Sequence, residues 1–260
     1  MKPGTMMILL LTAVLMGAAQ ERAPGVPVPA GQNKHEMNLA MSAMSPDKMA
    51  MGDHMARGDL DMGPHMQMTP LRPVRAGDAE RARALVATAR AALEKYKDYH
   101  AALDDGYQIF LPNLPQKHKH FTNYKYAFEN EFHFNPEHPT ALLYDVDGEG
   151  YKLTGLMYTA PKRLTAEELD QRIPLSIAQW HMHVNLCQPP PAKRGEMLGK
   201  HPRFGLAGAI STQPECEAAG GKFLPVIFNW MIHMYPYESN PEQVWSMAKQ
   251  HSNMNDMDMD

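Results

Sequence analysis

The chain has 260 residues and a net charge of −4, its 25 basic residues interspersed among 29 acidic ones. That balance leaves no basic patch and so excludes a nucleic-acid partner. There is no glycine-rich phosphate loop, no Gly-x-Ser-x-Gly elbow and no Cys-x-x-Cys pair, which removes nucleotide binding, serine hydrolysis and dithiol redox chemistry from consideration.

Lys2 precedes an apolar run from Met6 to Met16, and Gly17-Ala18-Ala19 supplies small residues. Residues 1–19 therefore read as a secretory signal peptide cut before Gln20. The run is too short for a membrane span, and no other stretch is long and apolar enough. A soluble periplasmic or secreted protein without a membrane span is expected.

Residues 20–75 combine Pro, Gly, Ser and Asp with no sustained apolar period, a composition that cannot offset its ordering entropy and reads as disordered. Met37, Met41, Met44, Met49, Met51, Met55, Met62, Met66 and Met68 are interleaved there with His35, His54 and His65. Thioether sulfur is a soft ligand suited to Cu(I), and imidazole suits copper in either state. The pairs His54-Met55 and His65-Met66 set both donor types side by side. The tail, residues 251–260, is also rich in Met.

A single folded domain is expected over residues 76–250. Asp78 is a good N-cap, and Leu85, Ala89, Ala92, Tyr96, Tyr99 and Leu103 recur at steps of three or four, predicting one long amphipathic helix over 79–104. Leu111-Pro112 and Leu114-Pro115 then break regular structure. His118 to Tyr126, with Glu129, Glu131, His133 and His138, is dense in possible ligands. Thr140–Asp145 and Tyr151–Tyr158 flank Asp147-Gly148 as a hairpin whose loop is expected to exceed two residues. Thr165 with Glu168 forms a capping box for a helix over 166–171, and Thr212 with Glu215 forms another for a helix carrying Cys216. Asn240-Pro241 opens a last helix running to about Lys249. The order of elements gives an α+β fold, an antiparallel sheet packed by one long N-terminal helix and a few short helices.

The succession Asp105-Gly106-Tyr107, His120-Phe121-Thr122-Asn123, Pro139-Thr140-Ala141-Leu142-Leu143-Tyr144, Leu153-Thr154-Gly155 and Trp180-His181-Met182-His183 resembles a poorly characterised family of secreted bacterial proteins, over roughly residues 80–187. The resemblance implies a domain type and singles out His120, Asn123 and His181; it supplies no reaction. Separately, the Met/His-rich leader resembles those of periplasmic copper-resistance proteins.

Side chains alternate across a strand. Trp180, Met182 and Val184 therefore fall on one face and His181, His183 and Asn185 on the other. Residues 227–235 repeat the pattern, with Trp230, Ile232 and Met234 opposite Asn229, Met231, His233 and Tyr235. If both strands share a sheet, His181, His183 and His233 converge on a metal ion, with His120 as a further ligand. Three imidazoles with an open position describe a zinc enzyme site, whereas a sulfur donor such as Met231 favours copper. Trp180 and Trp230 are expected in the core. Cys187 and Cys216 are expected to form a disulfide in an oxidising compartment, the competing role for Cys187 being a metal ligand.

Three functions follow. The first is copper handling by binding, storage or detoxification, with copper, or else zinc, as cofactor. The second is a metalloenzyme using the same histidines with a nearby Tyr or Glu. The third is a metal-free ligand- or partner-binding domain, in which the histidines are hydrogen-bonded on a wet sheet face.

Overall fold

The computed structural model describes residues 63–112, 118–246 and 249. The predicted signal peptide, the leader up to residue 62 and the Met-rich tail lie outside the described residues.

The fold is α+β and is organised by an antiparallel sheet. Its strands are β1 (Met66–Met68), β2 (Gln108–Ile109), β3 (His118–Thr122), β4 (Ala141–Asp147), β5 (Gly150–Ala160), β6 (His181–Gln188), β7 (Lys222–Val226) and β8 (Trp230–Met234). The spatial order is β1-β6-β8-β5-β4-β3-β2, and β7 pairs with β6 off this path. The helices are α1 (Asp78–Leu93), α2 (Tyr99–Asp104), α3 (Tyr124–Asn130), α4 (Ala166–Arg172), α5 (Gln213–Ala218) and α6 (Pro241–Val244).

One sheet face carries Phe121, Leu142, Tyr144, Leu156, Tyr158, Trp180, Trp230, Ile232 and Met234, packed with Ala89, Leu93 and Tyr96 of the N-terminal helical segment in a single core. Both tryptophans are core residues, as their strand positions predicted. The Tyr144 hydroxyl donates to the Tyr96 carbonyl at 2.6 Å, tying sheet to helix.

The long helix expected over 79–104 is instead three pieces. α1 ends at Leu93, a 3-10 turn covers Glu94–Lys97, and Asp98 leaves helical geometry with ψ 110°. Its carboxylate then accepts from the His100 amide and caps α2, so a residue that favours caps over helix interiors divides the helix. The capping box at Thr165 and Glu168 forms as read from the sequence. At α5 the Thr212 hydroxyl instead bonds the Glu215 carboxylate at 2.7 Å, leaving no side-chain cap. The β4–β5 hairpin is tighter than expected: Asp147 pairs with Gly150, and Gly148 at φ +59° supplies the left-handed residue of a two-residue loop.

Residues 63–75, placed in the disordered leader by their composition, belong to the folded body. β1 pairs with β6, and the Thr69 amide donates to the Trp180 carbonyl at 2.9 Å. Arg72 is clamped between Asp78, at 2.6 and 2.9 Å, and Asp170, at 2.6 Å. Partners remote in sequence order this stretch, so its own composition carries no sign of them. Cys187 and Cys216 are disulfide-bonded, which removes Cys187 from the possible metal ligands.

Candidate functional site

The second sheet face is built from the alternate residues of the same strands. β6 contributes His181 and His183, β8 contributes Met231 and His233, β5 contributes Gly155 and Met157, β4 contributes Ala141 and Leu143, and β3 contributes His118 and His120. Residues directly opposite in an antiparallel pair share a face. His181 lies opposite Met231, Met157 opposite His233, and His120 opposite Leu143. β1 adds Met66 opposite His183 and Met68 opposite His181.

The face is concave. β3 and β8 are separated by β4 and β5, a span of about 14 Å on a flat sheet. Yet the His120 and His233 ring centroids lie 5.5 Å apart. The β4–β5 register shifts between Leu143 and Tyr144, leaving Thr154 as an extra residue on β5, an irregularity of the kind that bends a strand. On the same face Gly155 leaves no room for a side chain: a Cβ there would stand 2.6 Å from the Met234 carbonyl oxygen and 2.9 Å from Tyr235 Cδ1. Phe110, just beyond β2, meets Phe228, between β7 and β8, at 6.2 Å, so the sheet's two sides approach each other across this face.

Four imidazoles form a continuous row. Ring centroids are 5.5 Å apart for His120 and His233, 5.4 Å for His233 and His181, and 5.6 Å for His181 and His183. Phe228 stands 6.0 Å from His183 at the end of the row. Two imidazoles on one tetrahedral ion, with metal–nitrogen bonds near 2 Å, have centroids roughly 5 Å apart. Each neighbouring pair is therefore close to ion-sharing spacing. Among the described residues, however, no three His, Cys, Asp or Glu side chains are gathered around one point in a way that holds an ion. The row offers pairs of nitrogens, each beside a thioether.

His181, His183 and His233 are 2, 8 and 6% exposed, so the reading that places them on a wet face does not hold. Burial, and secondarily the charge of His118, pushes His120 down to about 4, which leaves its imidazole neutral with a lone pair available. Met157, Met231, Ala141, Leu143 and Tyr235 form a buried cluster within the same face. Burial, with the Asp145 charge as a lesser cause, raises Tyr235, whose hydroxyl has no hydrogen-bond partner among the described residues.

The other candidates are engaged elsewhere. His118 bonds the Asp145 carboxylate. His133 and His138 both bind Glu129, at 3.1 and 2.6 Å, and His138 stacks on Tyr126 at 4.2 Å. Glu131 holds Arg163 and Asn229. Tyr158 donates to the Pro136 carbonyl from the helix-packed face. Asn123 caps α3, accepting from the Lys125 and Tyr126 amides. Asn185, expected beside the histidines, adopts φ +58° and turns its amide to the Pro64 carbonyl at 2.7 Å. Composition alone assigns the β1 methionines to the leader, although Met66-x-Met68 has the strand alternation of His181-x-His183.

Comparison with protein-family models, curated proteins and solved structures finds no match to this chain.

Proposed function

We propose that the protein is an exported metal-binding protein that handles copper by binding, storage or detoxification, with His181, His183 and His233 as ligands and His120 at the far end of the row. The observation that carries this reading is the row of four imidazoles, three buried and His120 half-buried, on a face shared with methionines. Rings 5.4–5.6 Å apart need little movement to share an ion pairwise. The mixture of imidazole and thioether favours copper over zinc, for which nitrogen, oxygen or thiolate donors are usual. Adjacent pairs allow an ion to pass along the row by ligand exchange, with each histidine shared by two positions. The Met/His-rich leader offers weaker donors of the same chemistry, suited to capture before transfer. The leader and apolar N-terminal run support export, and the disulfide fits an oxidising compartment.

The metalloenzyme reading has one observation in its favour, the buried Tyr235 hydroxyl on the histidine face. Burial keeps that phenol protonated near neutrality, which suits it to donate a proton and not to accept one, so this observation supplies one half of an acid–base pair. Binding without turnover is the better-supported function.

Elemental analysis of untagged protein tests the proposal. Near-stoichiometric copper, lost in a His181→Ala/His183→Ala variant that still folds, is the expected result. Zinc in place of copper would revive the enzyme reading. A protein that takes up neither metal after reconstitution leaves only a metal-free binding domain.

A further inference from the structure

The strand that the leader contributes has no evident structural need for two thioethers. β1 is three residues long and its central Gln67 is exposed. Its position is nonetheless strongly fixed from both sides. The Val184 backbone amide donates to the His65 carbonyl at 3.0 Å, and the Asn185 side-chain Nδ2 to the Pro64 carbonyl at 2.7 Å. His65 Nε2 donates to the Gly208 carbonyl at 2.7 Å. Beyond the strand, the Gln179 side chain donates to the Thr69 carbonyl at 2.7 Å, and the Trp180 amide to the Thr69 hydroxyl at 3.0 Å. This seat fixes the register that sets Met66 opposite His183 and Met68 opposite His181.

Directly opposed residues in an antiparallel pair have Cβ atoms about 5 Å apart. Methionine has three rotatable bonds and a polarisable sulfur, so from that distance its thioether reaches the same point as the facing imidazole. Both methionines are half-buried, at the boundary between the buried histidines and solvent. We propose that Met66 and Met68 are thioether ligands that act with His183 and His181, so that the end of the leader completes a Cu(I) site at the edge of the sheet. The proposal rests on the copper reading of the histidine row. It adds an oxidation state and a sulfur donor set, because thioethers favour Cu(I) while the imidazoles alone do not discriminate against Cu(II) or Zn(II). Met62-Gly63-Pro64-His65-Met66, which leads into the seat, repeats the pattern of Met51-Gly52-Asp53-His54-Met55. The sequence pattern thus recurs, and in its second copy His65 anchors the segment through Gly208 while Met66 faces His183.

The test uses the full chain with ¹³C-methyl methionine, titrated anaerobically with Ag(I) as a redox-inert substitute for Cu(I). Single Met66→Leu and Met68→Leu variants assign the signals. The expected result is that the first equivalent shifts the Met66 and Met68 methyls together with the His181 and His183 imidazole signals. In competition with a Cu(I) chelator, Met66→Leu/Met68→Leu is expected to bind more weakly by at least the roughly 10- to 100-fold typical of losing an outer-shell partner. Its Zn(II) and Cu(II) binding should be unchanged. Imidazole shifts without methyl shifts, or undiminished Cu(I) affinity in the double variant, would overturn this inference while leaving the histidine site standing. A first equivalent that moves neither set defeats both readings.

Discussion

Met68 and His181 face each other directly across the β1–β6 ladder. A residue from the Met/His-rich leader and one from the second strand of the sheet therefore lie side by side, and the boundary between leader and domain runs through the candidate site.

Two truncations separate the leader from the seat. Removing residues 20–62 leaves β1, Thr69 and Arg72 in place, so the protein should keep its thermal midpoint and the copper bound at the sheet. Removing residues 20–75 deletes β1 and the Arg72 clamp and leaves the carboxylates of Asp78 and Asp170 without that guanidinium. The second form should melt at lower temperature and lose copper. Equal metal content in the two forms, by elemental analysis, would exclude β1 from the site.

The histidine face was legible because its two main strands obey period-two alternation with tryptophan anchors, so Trp180 and Trp230 fix which way His181 and His233 point. The His120 strand was harder to see: it is flanked by prolines, and its partner β4 lies beyond a helix. β7 contains Pro225, which argues against a strand by composition yet is tolerated beside β6 at the sheet margin. β1 was illegible because three residues carry no period and their order comes from β6, more than a hundred positions away. The approach of His120 to His233 goes with a register irregularity between β4 and β5 that no period in the sequence announces.

Gly155 is tightly packed against β8 and the residue that follows it. An added methyl meets backbone at 2.6 Å and the Tyr235 ring at 2.9 Å, and backbone does not give way as a side chain does. Gly155→Ala should cost about 1–3 kcal/mol in urea unfolding, the range for overpacking. It should also weaken copper binding, because β8 must shift and carries His233 with it. An unchanged denaturation midpoint would show that the sheet relaxes there freely.

The disulfide should stabilise the fold without touching the metal. It closes a loop with a sequence separation of 29 residues, for which loop entropy predicts about 3–4 kcal/mol. Cys187→Ser/Cys216→Ser should lose roughly that stability while keeping its copper at low temperature. Gly221→Ala should strain the same corner, since its Cβ would stand 2.6 Å from Cys187 Sγ. Copper lost from the still-folded serine variant would return the Cys187 sulfur to the list of ligands.

Acid stability should depend on Asp78. Its carboxylate accepts from Arg72 at 2.6 and 2.9 Å, from the Ser176 hydroxyl at 2.6 Å and from the Arg75 amide at 2.8 Å. The Arg72 guanidinium, then Ser176 and the Arg75 amide, hold it well below the usual carboxylate range. In the unfolded chain the group protonates near pH 3.9. Below that pH the unfolded state binds a proton that the folded state refuses, so stability falls as pH drops toward the folded value. Above the unfolded pKa the full contribution is present and no slope is expected from this group. Asp170 should add to the same trend: burial opposes its ionisation, but the hydrogen bonds from Arg72 and the Leu175 amide prevail and lower its pKa. Urea midpoints measured from pH 7 to pH 2 should therefore be level at first and then decline through the carboxylate range. Asp78→Asn should start lower at pH 7, because the Arg72 charge loses a partner, and should decline less steeply in acid. A variant whose acid slope matches the wild type would mean that other carboxylates set the decline and that the Arg72 clamp is not what anchors β1.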